Sequence, residues 1–394
     1  MKNKIDVIFL DSVGISNAYG IGAYGKSLVP ELAKSEDINL YHLTISYGPS
    51  GSFLISQMKG YKKIDIVFNN FMSHTTQESQ LVSLSALIAF NLVVFHAKID
   101  PGILHVNLSA DFELCKVAKD HGFKVILTQH VMLSPIRTSG YQGEFTELNK
   151  KFFSIADGTI FLSDNTLKTA VRDYKVDRRN AVLIYNGIKW RSSKSSKQEL
   201  KRKYGFQSGD FILIYVGRID ESKGVFDLLR AFSTIGKNIH TLRLVVVGSG
   251  DITKAMSISK DIVGKISYTG FVNRQMLAEL YKIADLGILP SYSEQCSMAA
   301  IEMLHNNIPL ILSDIEGFDV FEDQIFHKAK IVKNKKNQKS VDIDFIMKKI
   351  VEIYESSDYK DNFIKVATHY KKHVFNIQKT KNDTLKFYNQ IFYS

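Results

Sequence analysis

Five polar side chains stand where their types and spacing could do chemistry. Arg218 and Lys223 lie in Gly217-Arg218-Ile219-Asp220-Glu221-Ser222-Lys223-Gly224, Glu294 and Glu302 in LPSYSEQCSMAAIE, and His130 in LTQHVMLS. Glu294 is expected near the start of a helix running from Met298 to Leu304, and the eight positions to Glu302 would span about 12 Å along a helix. That length matches a nucleotide's ribose and diphosphate with an attached sugar, one carboxylate holding each end. The phosphates would lie at the helix N-terminus, whose free N–H groups favour anions. Taken alone, a solvated helix face explains the two glutamates equally well. The cations sharpen the choice: glycine at each corner of a strand-to-helix connection permits close approach, Arg218 offers a planar fork and Lys223 a mobile point charge. His130 opens a loop just past an apolar strand pattern, where its imidazole could donate to a hydroxyl or stabilise charge. His105, inside a strand pattern, reads as a packed residue.

The elements that must position these groups alternate. Strand patterns recur at 5–10, 39–45, 64–68, 103–106, 124–128, 158–162 and 182–188, then at 211–216, 242–247, 266–270, 286–289 and 309–312, with helical stretches between many of them. Such alternation predicts parallel, doubly wound sheets, which bind ligands beyond the carboxyl ends of their strands. Leu81 to Phe95 reads as a buried helix running into a strand, and Gly20-Ile21-Gly22-Ala23-Tyr24-Gly25 as a glycine-rich helix start open to a ligand. This is formally G-x-G-x-x-G, but it begins too far past its strand and lacks the later acid of a dinucleotide fingerprint. The composition shifts near residue 190, at RSSKSSKQELKRK, which marks a domain boundary.

A chain of 394 residues, 45% of them hydrophobic, is long enough for two cores. Its two cysteines, Cys115 and Cys296, support neither a disulfide framework nor a zinc site, and point to a reducing compartment. The apolar run Val7 to Leu10 is too short and too acidic in its flanks for a signal peptide, and no stretch reads as a membrane span. The formal charge of +11 favours acidic partners. The clusters Lys194 to Lys203 and Lys328 to Lys339 read first as solvated linker or loop, with peripheral contact to an anionic membrane as a further expectation. No nucleic-acid recognition motif accompanies the charge. Asp342-Ile343-Asp344 spells D-x-D in a peripheral segment and reads as incidental.

The ordered set YVGRIDESKG, LVVVGSG, ISYTGFV, LAELYKIADLGILPSYSE and the Glu-x7-Glu pair resembles the retaining glycosyltransferases of the GT-B fold, family 4 type. The likeness is dense from Ile212 to Ile315 and thinner before. It implies an α/β protein of two Rossmann-like doubly wound domains facing across a cleft. An acceptor-side domain would cover 1–190, with a helix at about 376–394 packing back on it, and a donor-binding domain 191–375. On this resemblance Arg218 and Lys223 bind the diphosphate and stabilise the leaving group, Glu302 contacts the ribose and Glu294 lies by the transferred sugar. Gly217, Ser297 and Met298 belong to the donor site, backbone N–H groups after Glu294 assisting the phosphates. Gly22 faces the diphosphate from the first domain, and His130 lies near the sugar. Front-face attack needs no enzyme nucleophile, and fixed cations stabilise the departing phosphates without metal. The chain departs from the pattern at Cys296-Ser297, where an aromatic-glycine pair is usual, at Asn107 for a second histidine, at Asn307 for a glycine and at Ile377 for a tryptophan.

The expectation is therefore a cytoplasmic glycosyltransferase, soluble or peripheral on the inner face of the membrane. It would be retaining and metal-independent, would need no cofactor, and would take a sugar from a nucleoside diphosphate, UDP or GDP among the candidates. Its acceptor would be a glycan, lipid carrier, small molecule or peptide, chosen by the loops Asp11 to Ala18, Gly48 to Gly60 and Ser134 to Glu144. The alternatives are a nucleotide-sugar epimerase or hydrolase of the same fold and an inactive sugar-nucleotide-binding partner subunit.

Overall fold

The computed structural model describes residues 4–12, 20–69, 78–107, 112–130, 142–333 and 339–394. By internal contacts the chain divides into two compact units, one of residues 1–188 with 376–394 and one of residues 189–375.

The first unit runs β1 (Ile5–Ser12), α1 (Gly20–Leu32), β2 (Ile38–Gly48), β3 (Ser52–Met58), β4 (Tyr61–Asn69), α2 (Glu78–Ala97), β5 (Ile103–Val106), α3 (Phe112–Asp120), β6 (Lys124–Gln129), α4 (Gln142–Ile155), β7 (Gly158–Phe161), α5 (Asp164–Asp173) and β8 (Ala181–Leu183). Its sheet has the order β3-β4-β2-β1-β5-β6-β7-β8, parallel except where β3 turns back antiparallel on β4. Strands buried on both faces carry near-continuous apolar runs; in β1, Val7, Ile8, Phe9 and Leu10 are all fully buried.

The second unit runs α6 (Lys197–Lys203), β9 (Phe211–Val216), α7 (Val225–Ile235), β10 (Leu242–Val247), α8 (Ile252–Ile258), β11 (Ile266–Gly270), α9 (Arg274–Ile283), β12 (Leu286–Leu289), α10 (Met298–His305), β13 (Leu310–Ser313), β14 (His327–Ala329), β15 (Ile331–Lys333), β16 (Lys339–Val341), α11 (Ile343–Glu355) and α12 (Tyr359–His373). Its six-stranded sheet, β11-β10-β9-β12-β13-β14, is parallel throughout. The order reverses direction between β9 and β12, as it does in the first sheet between β1 and β5. The closing helix α13 (Ile377–Phe392) belongs to the first unit and packs on α1.

Several expectations change. Gly48 to Gly60, read as an acceptor loop, is mostly strand β3 and its turn. Pro49, Ser50 and Gly51 signal a loop, but the exposed edge of β4 supplies a hydrogen-bonding partner for the residues that follow. Of VLIYNGI, only Val182 and Leu183 lie in a strand, at the end of β8. The Leu81 to Phe95 segment is one long helix, α2, and it is not wholly buried, since Ile88, Leu92 and Phe95 are exposed. The Lys194 to Lys203 cluster is no open linker: Ser196 and Glu199 form a capping box that starts α6. There the Lys201 ammonium donates to the carbonyls of Ser208 at 2.8 Å and Asp210 at 2.6 Å, and Lys203 pairs with Glu279 at 2.5 Å. In the Lys328 to Lys339 cluster, 328–333 and 339 lie in or beside β14, β15 and β16, while 334–338 fall outside the described residues. Asp342 caps α11 by accepting from the Phe345 N–H at 3.0 Å, which accounts for half of the D-x-D. Asn307 takes the left-handed conformation at φ 56°, the role its place before Ile308-Pro309 suggests.

Asp227, buried at the first turn of α7, ties three segments together. It accepts from Arg230 at 2.6 Å, from the Tyr292 hydroxyl, and from the Val341 N–H at 2.9 Å. Asp227→Ala leaves the buried Val341 N–H without an acceptor and the Tyr292 hydroxyl with only the Lys339 carbonyl at 3.3 Å, and is expected to lower stability by about 2 kcal/mol in urea unfolding.

Candidate active site

Where the connections on the two sides of a parallel sheet leave in opposite directions, a crevice opens beyond the strand ends. In each unit the strands at that reversal deliver polar side chains.

In the second unit the pair is β9 and β12. The buried run FILIYV ends at Gly217, whose N–H donates to Val247 at 3.0 Å, and Arg218 follows. Arg218 pairs with Asp220 at 3.0 Å and donates to Ser222 at 3.3 Å. Asp220 in turn accepts from the Lys223 N–H at 3.2 Å. Gly224 ends this turn at φ 63°, and a Cβ there would lie 1.9 Å from the Pro290 carbonyl. Only glycine lets the loop after β9 lie against the loop after β12. The consequence is the contact at the centre of the cluster: Lys223 Nζ donates to Glu294 Oε1 at 2.6 Å, with both side chains largely buried. The Ser291 hydroxyl holds the same oxygen at 2.9 Å.

Glu294 and Glu302 do not share a helix. Ser297 caps α10 by accepting from the Ala300 N–H at 3.4 Å, and α10 begins at the buried Met298. Glu294 therefore stands in the loop before the helix, and the helical-rise argument for the spacing of the two carboxylates does not apply. Ser297 and Met298 bring the first N–H groups of α10, which have no intrahelical acceptor, to the same strand end.

Glu302, in the next turn of α10, accepts from the Tyr281 hydroxyl at 3.0 Å. Burial pushes its carboxyl up to about 7, because the Tyr281 hydrogen bond and nearby Arg274 offset only part of the cost of desolvation. Trp190, the only tryptophan in the sequence, packs edge-on to Tyr281 with ring centroids 5.4 Å apart, and Arg274 sits 5.5 Å from its ring. Its indole N–H is buried with no acceptor. Sequence reasoning missed Trp190, Arg274 and Tyr281, since no local pattern links three residues so far apart in the chain.

In the first unit the pair is β1 and β5. Asp11 near the end of β1 accepts from the Asn107 amide at 2.6 Å, just past β5, and shares a 2.9 Å hydrogen bond with His42 on β2. Asn107 Oδ1 then accepts from His130 Nε2 at 2.5 Å. Burial pushes the His130 imidazole down to about 4 against an opposing pull from Asp11, so the ring is neutral at physiological pH. A neutral His130 in this arrangement therefore offers Nδ1 as an acceptor, its one N–H being held by Asn107. His105 is fully buried between Thr128 and Tyr388 and is pushed down to about 3, as a packed residue should be. Asp11 and His42 were not singled out, although the end of the first strand is a place to look for a carboxylate.

Gly22 is buried in the first turn of α1, not in a loop. Gly25 is explained by packing rather than by ligand approach, since a Cβ there would lie 2.2 Å from Asp11 Oδ2. Of the other proposed acceptor loops, residues 13–18 and 134–141 lie outside the described residues. Among the described residues no group of three or more His, Cys, Asp or Glu is arranged to hold a metal ion, and no helix is long and apolar enough to cross a membrane.

The chain matches the family model for Glycosyltransferase Family 4 over residues 36–189 and the model for Glycosyl transferases group 1 over residues 196–369. It is 32% identical over 143 residues to an uncharacterised glycosyltransferase of Methanocaldococcus jannaschii, covering 34% of this chain and 36% of that one. The chain thus spans about a third of the length of the curated relatives it matches. Among solved structures it resembles sucrose-phosphate synthase from Thermosynechococcus elongatus, with TM-score 0.75 and 16% identity over 99% of this chain and 100% of that one. It also resembles Anabaena HepE in complex with UDP and glucose, with TM-score 0.71 and 14% identity over 97% and 98% of the two chains. At these identities the structures show the fold: two Rossmann-like α/β domains of the GT-B class.

The neutral histidine at this edge makes a stability prediction. A folded-state pKa of about 4, below the ordinary 6.5, means that the unfolded chain takes up the proton first, so His130 costs stability as pH falls from 6.5 towards 4. Glu302, raised from 4.5 to about 7, acts in the opposite sense, since its contribution is lost as pH rises through that range. The comparison is therefore made between proteins. Between pH 6 and pH 5, His130→Asn should flatten the pH slope of the unfolding free energy by up to about 1.4 kcal/mol per pH unit.

Proposed function

Because the chain belongs to the GT-B glycosyltransferases of family 4 type, we propose that it is a retaining, metal-independent enzyme that transfers a sugar from a nucleoside-diphosphate donor to an acceptor. The observation that carries this reading is the Lys223–Glu294 ion pair, held with Arg218 at the reversal point of the donor-side sheet. Breaking the bond between a sugar and a diphosphate leaves negative charge on the departing oxygen. Arg218, Lys223 and the first N–H groups of α10 are fixed donors at one strand edge, and preorganised donors of this kind stabilise a developing oxyanion without reorganising. Binding a diphosphate gives Lys223 a second anion. Glu294 is then free to accept from the hydroxyls of the transferred sugar while Ser291 keeps it oriented. Glu302 takes the ribose diol, and Trp190 with Arg274 lies beside it. In the first unit, His130 accepts a hydrogen bond from a substrate hydroxyl through Nδ1, and Asp11 and Asn107 set its ring. The UDP and glucose held by Anabaena HepE make UDP-glucose a first donor to try.

The test is to incubate the purified chain with UDP- and GDP-sugars, without added metal, and measure nucleoside-diphosphate release, with NMR of the anomeric proton to establish stereochemistry. Release with a retained anomeric configuration supports the reading, and inversion would refute it. Lys223→Ala and Glu294→Gln should each lower kcat by about 100- to 1,000-fold with circular dichroism unchanged. Unaltered kcat in both removes the site assignment.

Glu302 adds a pH dependence. A ribose diol donates to a carboxylate, so a group titrating at about 7 must be ionised to bind. Affinity for UDP-glucose, followed by Trp190 fluorescence, should rise about tenfold from pH 6 to pH 8 in the native protein and stay level in Glu302→Gln.

A further inference from the structure

The first sheet ends in an open edge that carries no charge. Strand β3 reads SFLISQM, pairs among the described residues only with β4, and leaves Phe53, Leu54, Ile55 and Met58 exposed over both faces. Beside it runs α2, apolar over most of Leu81 to Phe95, with Ser83, Ser85 and Asn91 as the polar exceptions. Phe90 and Val93 are buried in the core, while Ile88, Leu92 and Phe95 form an exposed stripe at helical spacing. Phe53 meets His96 of this helix with ring centroids 6.0 Å apart, and His96 meets Phe95 at 5.4 Å, so strand and stripe join in one surface. Phe95 is 79% exposed and Leu54 57%. Open edge strands are ordinarily blunted by lysine, proline or a bulge, and the seven residues of β3 contain none of these.

We infer that β3 and the exposed stripe of α2 dock a second copy of this chain, the two sheets joining edge to edge through β3. Three arguments favour a copy over a membrane. First, an edge strand presents unpaired N–H and C=O groups, which lose their water in hydrocarbon but are satisfied by another strand. Second, the segment is complementary to itself when antiparallel. About a two-fold axis at Ile55, Ile55 faces Ile55, Leu54 faces Ser56 and Phe53 faces Gln57. Lys59, the first cation beyond the strand, falls opposite Gly51, so no like charges meet. Third, the area is sufficient. At about 200 Å² for each large side chain, the exposed fractions of Phe53, Ile55, Ile88, Leu92 and Phe95, which share the α2 side of the sheet, amount to roughly 490 Å² per copy. Two copies would bury about 1,000 Å², the size expected of a specific interface, before the paired backbone edges are added.

Sedimentation velocity of the full chain over a range of concentrations tests this. A dimer is expected, weakened at least 100-fold by Ile55→Lys, which sets two ammonium groups face to face, and by Phe95→Lys. The melting shift given by UDP-glucose should be unchanged in both variants. In a Cys296→Ser background, Ile55→Cys should form an intermolecular disulfide under mild oxidation. Met58→Cys should not, because its counterpart lies about 20 Å away along the paired strands. A protein that stays monomeric, a dimer indifferent to both lysines, or linkage through residue 58 in place of 55 would overturn the proposal. So would a monomer that floats with anionic vesicles until Phe95→Lys abolishes flotation, an outcome that assigns the surface to a membrane.

Discussion

A parallel strand cannot be followed directly by its neighbour; the chain must cross over a face of the sheet, and it does so right-handedly. When successive connections leave in opposite directions from a central strand, the helices part at that strand's carboxyl end. Both units obey this constraint, the first between β1 and β5 and the second between β9 and β12. The polar side chains that matter stand at these two places because nowhere else on a sheet buried by helices can loops converge without filling the space.

The two reversal points carry different electrostatics. In the second unit cations and a carboxylate neutralise one another: Lys223 and Glu294 lie in contact, and Arg218 leans on Asp220. Such pairing keeps charged groups tolerable in a partly buried place and leaves them available to a ligand that brings its own charge. In the first unit the organising group is one carboxylate, Asp11. It orders Asn107 and His42, and Asn107 orders His130, so the imidazole stays uncharged with a defined tautomer. Burial works on Glu302 and His130 alike, disfavouring the charged form of each, and drives one pKa up and the other down.

The distal edge of the first sheet follows from the same architecture. Strands in the middle are covered on both faces, but the order ends at β3, which enters as a hairpin and not as a crossover. No following helix is connected to cover it. The long apolar helix α2 continues beyond what the sheet can bury, and its outer stripe remains exposed beside that edge.

Much was legible in the sequence by itself. Apolar runs such as FILIYV and LVVVG must be buried strands, their alternation with helical stretches demands parallel sheets, and glycine with a cation at the end of such a strand marks the turn that carries Arg218 and Lys223. These are local properties, written in hydrophobic period and backbone freedom. Tertiary structure alone decided what depends on distant partners. It became visible only there that Lys223 touches Glu294, that Gly25 makes room for Asp11, and that Tyr281 and Trp190 surround Glu302. Strand β3 was hidden for the same reason: after Pro49 and Gly51 its residues look like loop, and they become strand because β4 offers an edge to pair with. The sign of His130's hydrogen bond likewise rests on Asn107, far away in the chain, since burial and a committed N–H are facts about neighbours in space and not about spacing along the backbone.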